Sequence, residues 1–237
     1  VLKDISFEAT AGQTIGILGA TGSGKSSLVQ LMQRLYTCSG GHIYIDGVDI
    51  NDIEHKHLRS HIGIVLQEPF LYSRSILDNI RITDTSADEQ EVYAAAKVAA
   101  VHDVILKFDK GYDTLVGERG VTLSGGQQQR VAIARTLMRK TPILIFDDSM
   151  SAVDTETDLA IRKALRRIRG QSTTFIISHR ITTLMESDKI LVLDQGRLVE
   201  EGTHQQLMEQ GGIYSRIANI QEATGQFRLE KEGGAQA

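Results

Sequence analysis

One segment restricts the fold of this chain more than any other, the run Gly19-Ala20-Thr21-Gly22-Ser23-Gly24-Lys25-Ser26. It fits the pattern G-x-x-x-x-G-K-[ST], and its flanks predict an apolar strand over 14–18 and a helix over 27–36. Glycines let the backbone wrap closely around a polyphosphate, so that successive N–H groups and the positive helix end face the anion. The segment therefore predicts a polyphosphate-binding loop. The alternative is a glycine-rich strand-to-helix turn that binds nothing.

The loop supplies two side chains with expected roles in nucleotide binding. Lys25 is expected to reach the β- and γ-phosphates, and Ser26 to offer its hydroxyl to Mg²⁺. The complete predicted nucleotide-binding set is Gly19, Ala20, Thr21, Gly22, Ser23, Gly24, Lys25, Ser26 and Ser27.

Length and composition narrow the class of protein. The 237 residues suffice for one large α/β domain or two small ones. A net charge of −4 without a basic run gives no reason to expect nucleic acid as a partner.

Cys38 is the only cysteine, so an internal disulfide cannot form and a reducing compartment is expected. Neither a membrane span nor a signal peptide is visible in the pattern. Because a strand pattern already begins at Leu2, we expect the chain to be cut from a longer one.

Strand-like runs alternate with helix-like runs, which predicts an α/β fold with a mainly parallel central sheet. Asp46-Gly47 between short apolar runs predicts an antiparallel hairpin near the N-terminus. The predicted strands lie at 2–9, 14–18, 62–66, 143–146, 173–178 and 190–193.

Helix starts are predicted from capping-box spacing at Ser86–Glu89, Ser124–Gln127 and Thr203–Gln206. Further helices are expected over 102–108, around Ile161, Leu165 and Ile168, and over 214–220. The domain prediction is one folded unit over 1–220, with a helical subdomain inserted at about 76–140. A polar, disordered tail is predicted over 221–237.

An acidic pair follows the apolar strand 143–146. A polyphosphate loop needs a second acidic group to hold Mg²⁺, and Asp147 is the expected metal partner. Asp148 is then placed to polarise an attacking water. The alternative is a buried strand that ends in two solvated acids.

A second phosphate-binding surface is predicted at Leu123-Ser124-Gly125-Gly126-Gln127, where two glycines stand at a capped helix start. One nucleotide rarely needs two such surfaces on the same face. This sequence resembles the nucleotide-binding domain of ABC transporters, in which this pentapeptide is the family signature. The resemblance covers nearly the whole chain and implies a P-loop NTPase fold with an N-terminal antiparallel β-subdomain and an inserted helical subdomain. Its implied ligands are ATP and Mg²⁺.

The resemblance also implies roles for residues that are unremarkable singly. Residues 19–26 match Walker A, and 143–147 match Walker B. Gln67 matches the Q-loop glutamine, which in the family touches Mg²⁺ and the attacking water. His179 matches the switch histidine that contacts the γ-phosphate. The D-loop matches Ser151-Ala152-Val153-Asp154. The implied catalytic residues are Lys25, Gln67, Asp148 and His179, and the implied metal ligands are Ser26, Gln67 and Asp147.

The family mechanism predicts the partners. Two ABC ATPase domains pair head to tail, and each ATP lies between the Walker motifs of one and the signature of the other. The segment 114–120 resembles the X-loop typical of ABC exporters, which contacts the membrane domains, as does the Q-loop region. The resemblance therefore predicts an ATPase that powers export at the cytoplasmic face of the cell membrane.

The sequence departs from the family pattern at Asp148, where members usually carry glutamate. The side chain is one methylene shorter, and a misplacement of about 1 Å can cost on the order of a hundredfold in rate. Slow hydrolysis at this chain's own Walker site, as in one half of heterodimeric exporters, is one alternative; a non-transport ABC ATPase is another. The aromatic residue that stacks on adenine in the family is expected upstream of Val1.

Overall fold

The computed structural model describes residues 1–117, 122–147, 162, 166 and 169–224. Within these ranges, eight strands form two sheets. A six-stranded sheet has the order β4-β5-β6-β1-β7-β8, and a separate two-stranded sheet pairs β2 with β3. The strands are β1 Thr14–Gly19, β2 Tyr44–Ile45, β3 Val48–Asp49, β4 Ile62–Val65, β5 Ile143–Asp147, β6 Thr173–Ile177, β7 Lys189–Asp194 and β8 Arg197–Gly202.

The helices of the described ranges connect these strands and cover the sheet. They are α1 Lys25–Met32, α2 His55–Ser60, α3 Ile76–Ile80, α4 Glu89–Val98, α5 His102–Ile105, α6 Gly125–Met138, α7 Ile181–Leu184, α8 His204–Gln210 and α9 Ile213–Ala223. Single 3₁₀ turns lie at Arg81–Thr83 and Gly111–Asp113. In the part of the chain that the structure describes, no helix has both the length and the hydropathy to cross a bilayer.

The large sheet is parallel from β4 through β7, and β8 is antiparallel to β7. Successive residues of a strand face opposite sides of a sheet, and both sides are apolar here. In β5, Leu144 and Phe146 join the core on the side of α6, whereas Ile145 joins the core on the side of α1. The predicted α/β fold with a mainly parallel sheet is confirmed.

The small sheet is the predicted hairpin. Asp46 (φ 50°) and Gly47 (φ 79°) are both left-handed, as a two-residue type I′ turn requires. The aspartate and the glycine tolerate this conformation at low cost, so this turn was readable from the sequence.

Of the helices between β4 and β5, α6 packs against β4, and α3 and α4 pack against α6. Two of the three predicted capping boxes are present, at Ser124–Gln127 for α6 and at Thr203–Gln206 for α8. The third prediction is wrong. Asp88, not Ser86, caps α4 by accepting from the N–H of Glu91, while Ser86 bonds to Asp84.

Several predicted elements differ in the structure. Residues 2–9 are not a strand. The side chains of Leu2, Ile5 and Phe7 pack on the core. Among the described residues, the only backbone–backbone hydrogen bond from this segment to the rest of the chain joins the N–H of Lys3 to the carbonyl of Gly196. Strand β8 was not predicted. The last helix continues through Ala223, so the predicted tail begins too early at 221. The expected helix around Ile161, Leu165 and Ile168, and residues 225–237, lie outside the described residues.

Candidate functional site

Four of the predicted site segments lie at neighbouring strand ends. Gln67 follows β4, Asp147 ends β5, His179 follows β6, and the glycine-rich loop follows β1. These strands are adjacent and parallel in the order β4-β5-β6-β1. The carboxyl ends of parallel strands share one edge, which is where open α/β sheets bind ligands.

The glycine-rich loop leads directly into the start of α1. Gly22 (φ 82°) and Gly24 (φ 104°) are left-handed, and Gly24 is the N-cap of α1 without a side-chain hydrogen bond. The first turn of α1 contains no acidic residue. Because the first N–H groups of a helix lack partners within it, this end attracts an anion.

The lysine of this loop is held near the loop backbone. The Lys25 ammonium donates to the carbonyls of Gly19 at 2.7 Å and of Ala20 at 3.0 Å, and the residue is 8% exposed. Ser23 is also buried, and its hydroxyl has no hydrogen-bond partner among the described residues. A cationic group and a free hydroxyl inside a turn of backbone N–H groups suit a polyphosphate.

The segment around Gln67 is fastened to α6. Gln67 itself is exposed, but the amide of the buried Gln129 donates to the carbonyl of Leu66 at 3.1 Å. Two turns further along α6, the hydroxyl of Thr136 lies 3.2 Å from the carbonyl of Ile64 and 3.0 Å from the carbonyl of Ala132 in its own helix. The position of Gln67 therefore depends on the helix that carries the predicted signature.

A buried polar cluster holds the chain after Gln67. The guanidinium of Arg135 donates to the carbonyls of Phe70 and Asn79, both at 2.8 Å, and to Oδ1 of Asn79 at 2.9 Å. Asn79 is fully buried and bonds both the N–H and the carbonyl of Tyr72 at 2.9 Å. Burial lowers the pKa of Arg135, since desolvation disfavours its charge.

The predicted signature forms a capped helix start. The Ser124 hydroxyl accepts from the N–H of Gln127 at 3.3 Å, and the Gln127 amide oxygen accepts from the N–H of Ser124 at 2.9 Å. Leu123 and Gly126 are buried, whereas Ser124 and Gly125 are exposed. The side chains thus fix the helix start while its outer surface remains accessible.

The first residues of the predicted X-loop lie beside the Q-loop segment. The N–H of Ile76 donates to the carbonyl of Thr114, and the N–H of Val116 donates to the carbonyl of Arg74, both at 3.0 Å. Ser75 and Leu115 form an isolated antiparallel bridge. Next to it lies a cavity of about 330 Å³ that Phe70 and Leu123 help to line.

Sequence reasoning missed Gln129 and Arg135, although one signal for Gln129 exists. It lies three residues after Gly126 and four before Ile133, on the buried face of α6. A polar residue on an apolar helix face needs a buried partner. The partner itself, 63 residues away, has no local signal.

Some predicted site residues lie outside the described residues. These are Asp148, the D-loop with Ser151 and Asp154, and the X-loop residues 118–120. Their expected roles stay predictions.

Comparison with known proteins identifies the family. The model of the family described as ABC transporter matches residues 2–151, which is more than half of the chain. The chain belongs to the ABC transporter family. It is an ATP-binding domain of that family. Domains of this kind bind and hydrolyse ATP, and in exporters that hydrolysis is coupled to transport.

The relatives of this ABC domain are longer proteins. It is 49% identical over 214 residues to the beta-(1→2)glucan export ATP-binding/permease protein NdvA of Bartonella bacilliformis, covering 90% of the chain and 36% of that protein. It is 44% identical over 223 residues to ATP-binding cassette sub-family B member 6 of Xenopus tropicalis, covering 94% and 26%.

A solved structure has the same fold as this ABC domain. A bacterial Atm1-family ABC exporter with ATP bound superimposes with a TM-score of 0.89 at 46% identity. The match covers 93% of this chain and 39% of that one. The chain thus spans between about a quarter and two fifths of the length of these three proteins.

Proposed function

We propose that this domain binds ATP with Mg²⁺ at the carboxyl edge of its sheet and hydrolyses it to power export of a substrate across a membrane. One observation carries the proposal: the glycine-rich loop, Asp147, His179 and Gln67 occupy four adjacent strand ends. The relatives whose names include export and permease support the direction and a position at the cytoplasmic face of a membrane.

The donor set fits magnesium. The Ser26 hydroxyl, the Asp147 carboxylate and the Gln67 amide oxygen are the hard oxygen ligands that Mg²⁺ prefers. Bound there, the ion would neutralise charge that develops on the β- and γ-phosphates. On this proposal Lys25 turns from the carbonyls of Gly19 and Ala20 to the phosphates, and His179 contacts the γ-phosphate.

The second phosphate-binding surface supports a partner. Ser124 and Gly125 are exposed at the N-terminus of a 14-residue helix, a position that favours an anion. We propose that they close over ATP held by a second ABC ATPase domain, identical or homologous, in a head-to-tail pair. Ser151 and Asp154 are expected at the same interface.

An apolar surface supports contact with transmembrane domains. We define the docking surface as Leu66, Phe70, Tyr72 and Leu115, which are 50%, 68%, 45% and 56% exposed. Exposed apolar patches mark interaction sites. Because the docking surface combines the Q-loop segment with the start of the X-loop, movement of a membrane domain would reach Gln67 directly.

A second candidate rests on Asp148 alone. With aspartate in place of the usual glutamate, this chain would donate an intact signature to a partner's site while its own Walker site mainly holds ATP. Measuring turnover on the purified homodimer tests it. Brisk hydrolysis that Asp148→Ala abolishes would rule this candidate out, whereas a large gain on Asp148→Glu would support it.

Phosphate release by the full-length protein in lipid nanodiscs tests the main proposal. We expect MgATP-dependent release that Lys25→Ala lowers by on the order of a hundredfold, because the charge that faces the phosphates is lost. The matched control is Lys56→Ala, which removes an exposed lysine of α2 and leaves release unchanged. Release that survives Lys25→Ala would overturn the proposal.

A further inference from the structure

The segment that carries His179 turns from β6 directly into α7. The N–H of Ser178 donates to the backbone carbonyl of Ile17 in β1 at 3.3 Å. The Ser178 hydroxyl accepts from the N–H of Arg180 at 3.0 Å. Arg180 is the N-cap of α7 but makes no side-chain cap bond. The first N–H groups of a helix need partners from outside it. For Ile181, that partner comes from a distant helix.

The partner is Gln221, in the last turn of α9. Its Oε1 accepts from the N–H of Ile181 at 3.0 Å, and its Nε2 donates to the carbonyl of His179 at 2.6 Å. A primary amide carries its acceptor and its donors on one rigid plane. The two bonds together therefore fix both the position and the rotation of the backbone on either side of Arg180.

The helix that bears Gln221 is itself anchored at its opposite end. The Glu200 carboxylate in β8 accepts from the N–H of Ile213 and, at 3.1 Å, from the N–H of Tyr214. Tyr214 is fully buried, and its hydroxyl lies 2.8 Å from Nδ1 of His204 in α8. Because α9 is anchored in this way, the amide of Gln221 can hold residues 179–181 in place.

We propose that Gln221 is a positioning residue for His179, acting on the His179 backbone from the C-terminal helix and not on the nucleotide. This inference rests on the proposed function, in which the His179 side chain contacts the γ-phosphate. The direction of a side chain follows from the backbone that carries it. A displacement of about 1 Å at a catalytic group can lower a rate by on the order of a hundredfold.

Two substitutions of similar volume separate positioning from packing. Gln221→Met removes both hydrogen bonds. Gln221→Glu keeps an acceptor for Ile181 but turns an oxygen toward the carbonyl of His179, where only a donor fits. If Gln221 merely filled space, both variants would hydrolyse ATP normally. The matched control is Gln205→Met in α8, an exposed glutamine whose amide donates within its own helix to Glu209.

The deciding experiment is a double-mutant cycle on the full-length protein in nanodiscs. Phosphate release is measured against MgATP concentration for Gln221→Met, His179→Ala and the combination. We expect Gln221→Met and Gln221→Glu each to lower kcat about tenfold and to change KM less than about twofold. On the His179→Ala background, the further loss from Gln221→Met is expected to be below about twofold, since the residues act as one unit.

Other results would overturn the inference. A wild-type kcat for Gln221→Glu would show that only volume matters, and it decides the question even if Gln221→Met fails to fold. A tenfold loss from Gln221→Met that persists without the His179 side chain would show that Gln221 acts elsewhere. Failure of the proposed function has a different signature, because the wild-type protein would then release no phosphate or would be indifferent to Lys25→Ala.

Discussion

The side-chain amide of Gln129 donates to the backbone carbonyl of Leu66 at 3.1 Å. Gln129 is 2% exposed within α6, the helix that begins at the signature, and Leu66 immediately precedes Gln67. This bond therefore connects two parts of the proposed mechanism. One is the helix that begins at the signature, which is proposed to contact a partner's ATP. The other is Gln67, which is proposed to bind the Mg²⁺ of this chain's own ATP. Rotation of α6 against the sheet must move Leu66 or break the bond.

Removing this bond should loosen the Q-loop segment. Gln129→Met leaves the carbonyl of Leu66 without its donor, and the net loss of such a hydrogen bond is about 0.5–1.5 kcal/mol. We expect the backbone amides of residues 66–68 to exchange with solvent up to about tenfold faster in the full-length protein, measured by hydrogen-exchange mass spectrometry.

The neighbouring glutamine is the control for this prediction. The side-chain amide of Gln128 donates to the backbone carbonyl of Leu123 and not to the Q-loop segment. Gln128→Met is therefore expected to leave amide exchange over 66–68 at the wild-type rate. Equal acceleration by both substitutions would mean that α6 as a whole, not the single bond, holds the loop.

Substitution of Ser124 by aspartate should separate its role as the N-cap of α6 from its proposed role at a partner's ATP. Aspartate is as good an N-cap as serine, so Ser124→Asp should keep α6 intact and the unfolding temperature within a few degrees. Its negative charge would repel the phosphates of a partner's ATP, and we expect phosphate release to fall by on the order of a hundredfold.

Thr203 offers a matched test of the cap alone. It caps α8 in the same box geometry, far from the signature in sequence. Thr203→Asp should preserve both the unfolding temperature and phosphate release. If Ser124→Asp hydrolyses ATP as fast as Thr203→Asp, Ser124 does not lie at a partner's ATP.

The docking surface should couple hydrolysis to the membrane domains without affecting ATP binding. Phe70→Ser removes its most exposed aromatic ring, and we expect substrate-stimulated phosphate release to decline to the basal rate while MgATP affinity stays unchanged. Ile220→Ser is the control, because Ile220 is 63% exposed on α9. A fall in MgATP affinity for Phe70→Ser would argue against a purely coupling role.

His204 should make the domain less stable in mild acid. Burial lowers the pKa of His204 below its ordinary value of 6.5, so the folded state binds the proton less readily than the unfolded state. The free energy of unfolding should therefore be constant above about pH 7 and fall as the pH drops below 6.5. It should stop falling below the pKa of the folded state.

Chemical denaturation of the 237-residue chain at several pH values measures this effect. In His204→Asn, the part of the decline that begins near pH 6.5 should be missing, so the two curves converge as the pH falls. Parallel curves for the two proteins between pH 7 and pH 5 would contradict the assignment.

Features coded by neighbouring residues were predictable from the sequence. The type I′ turn at Asp46-Gly47 and the capping boxes of α6 and α8 need only residues within four positions of each other. The buried parallel strands were equally visible, because apolar side chains fill both faces of the sheet. Together with the glycine-rich loop, these strands indicate the edge where the candidate site lies.

Features that depend on distant partners were not predictable. Strand β8 alternates exposed and half-buried residues and contains Glu200 and Glu201, so its apolar signal is weak. Residues 2–9 show the alternation of a strand but lack a ladder partner in the described structure. Gln221 falls where polar composition predicted a tail, and its role depends on a contact 42 residues away.

Pairing two different full-length variants tests the central claim, that ATP is shared between the loop of one chain and the signature of another. Lys25→Ala and Ser124→Asp chains, carrying different tags, are co-purified as mixed pairs, and occluded MgATP is counted. Shared sites predict that each variant alone occludes none, while the mixed pair occludes about one MgATP per pair, because one loop and the opposite signature remain intact. If each chain instead formed its site from its own loop and signature, the mixed pair would occlude none, and the account would be contradicted.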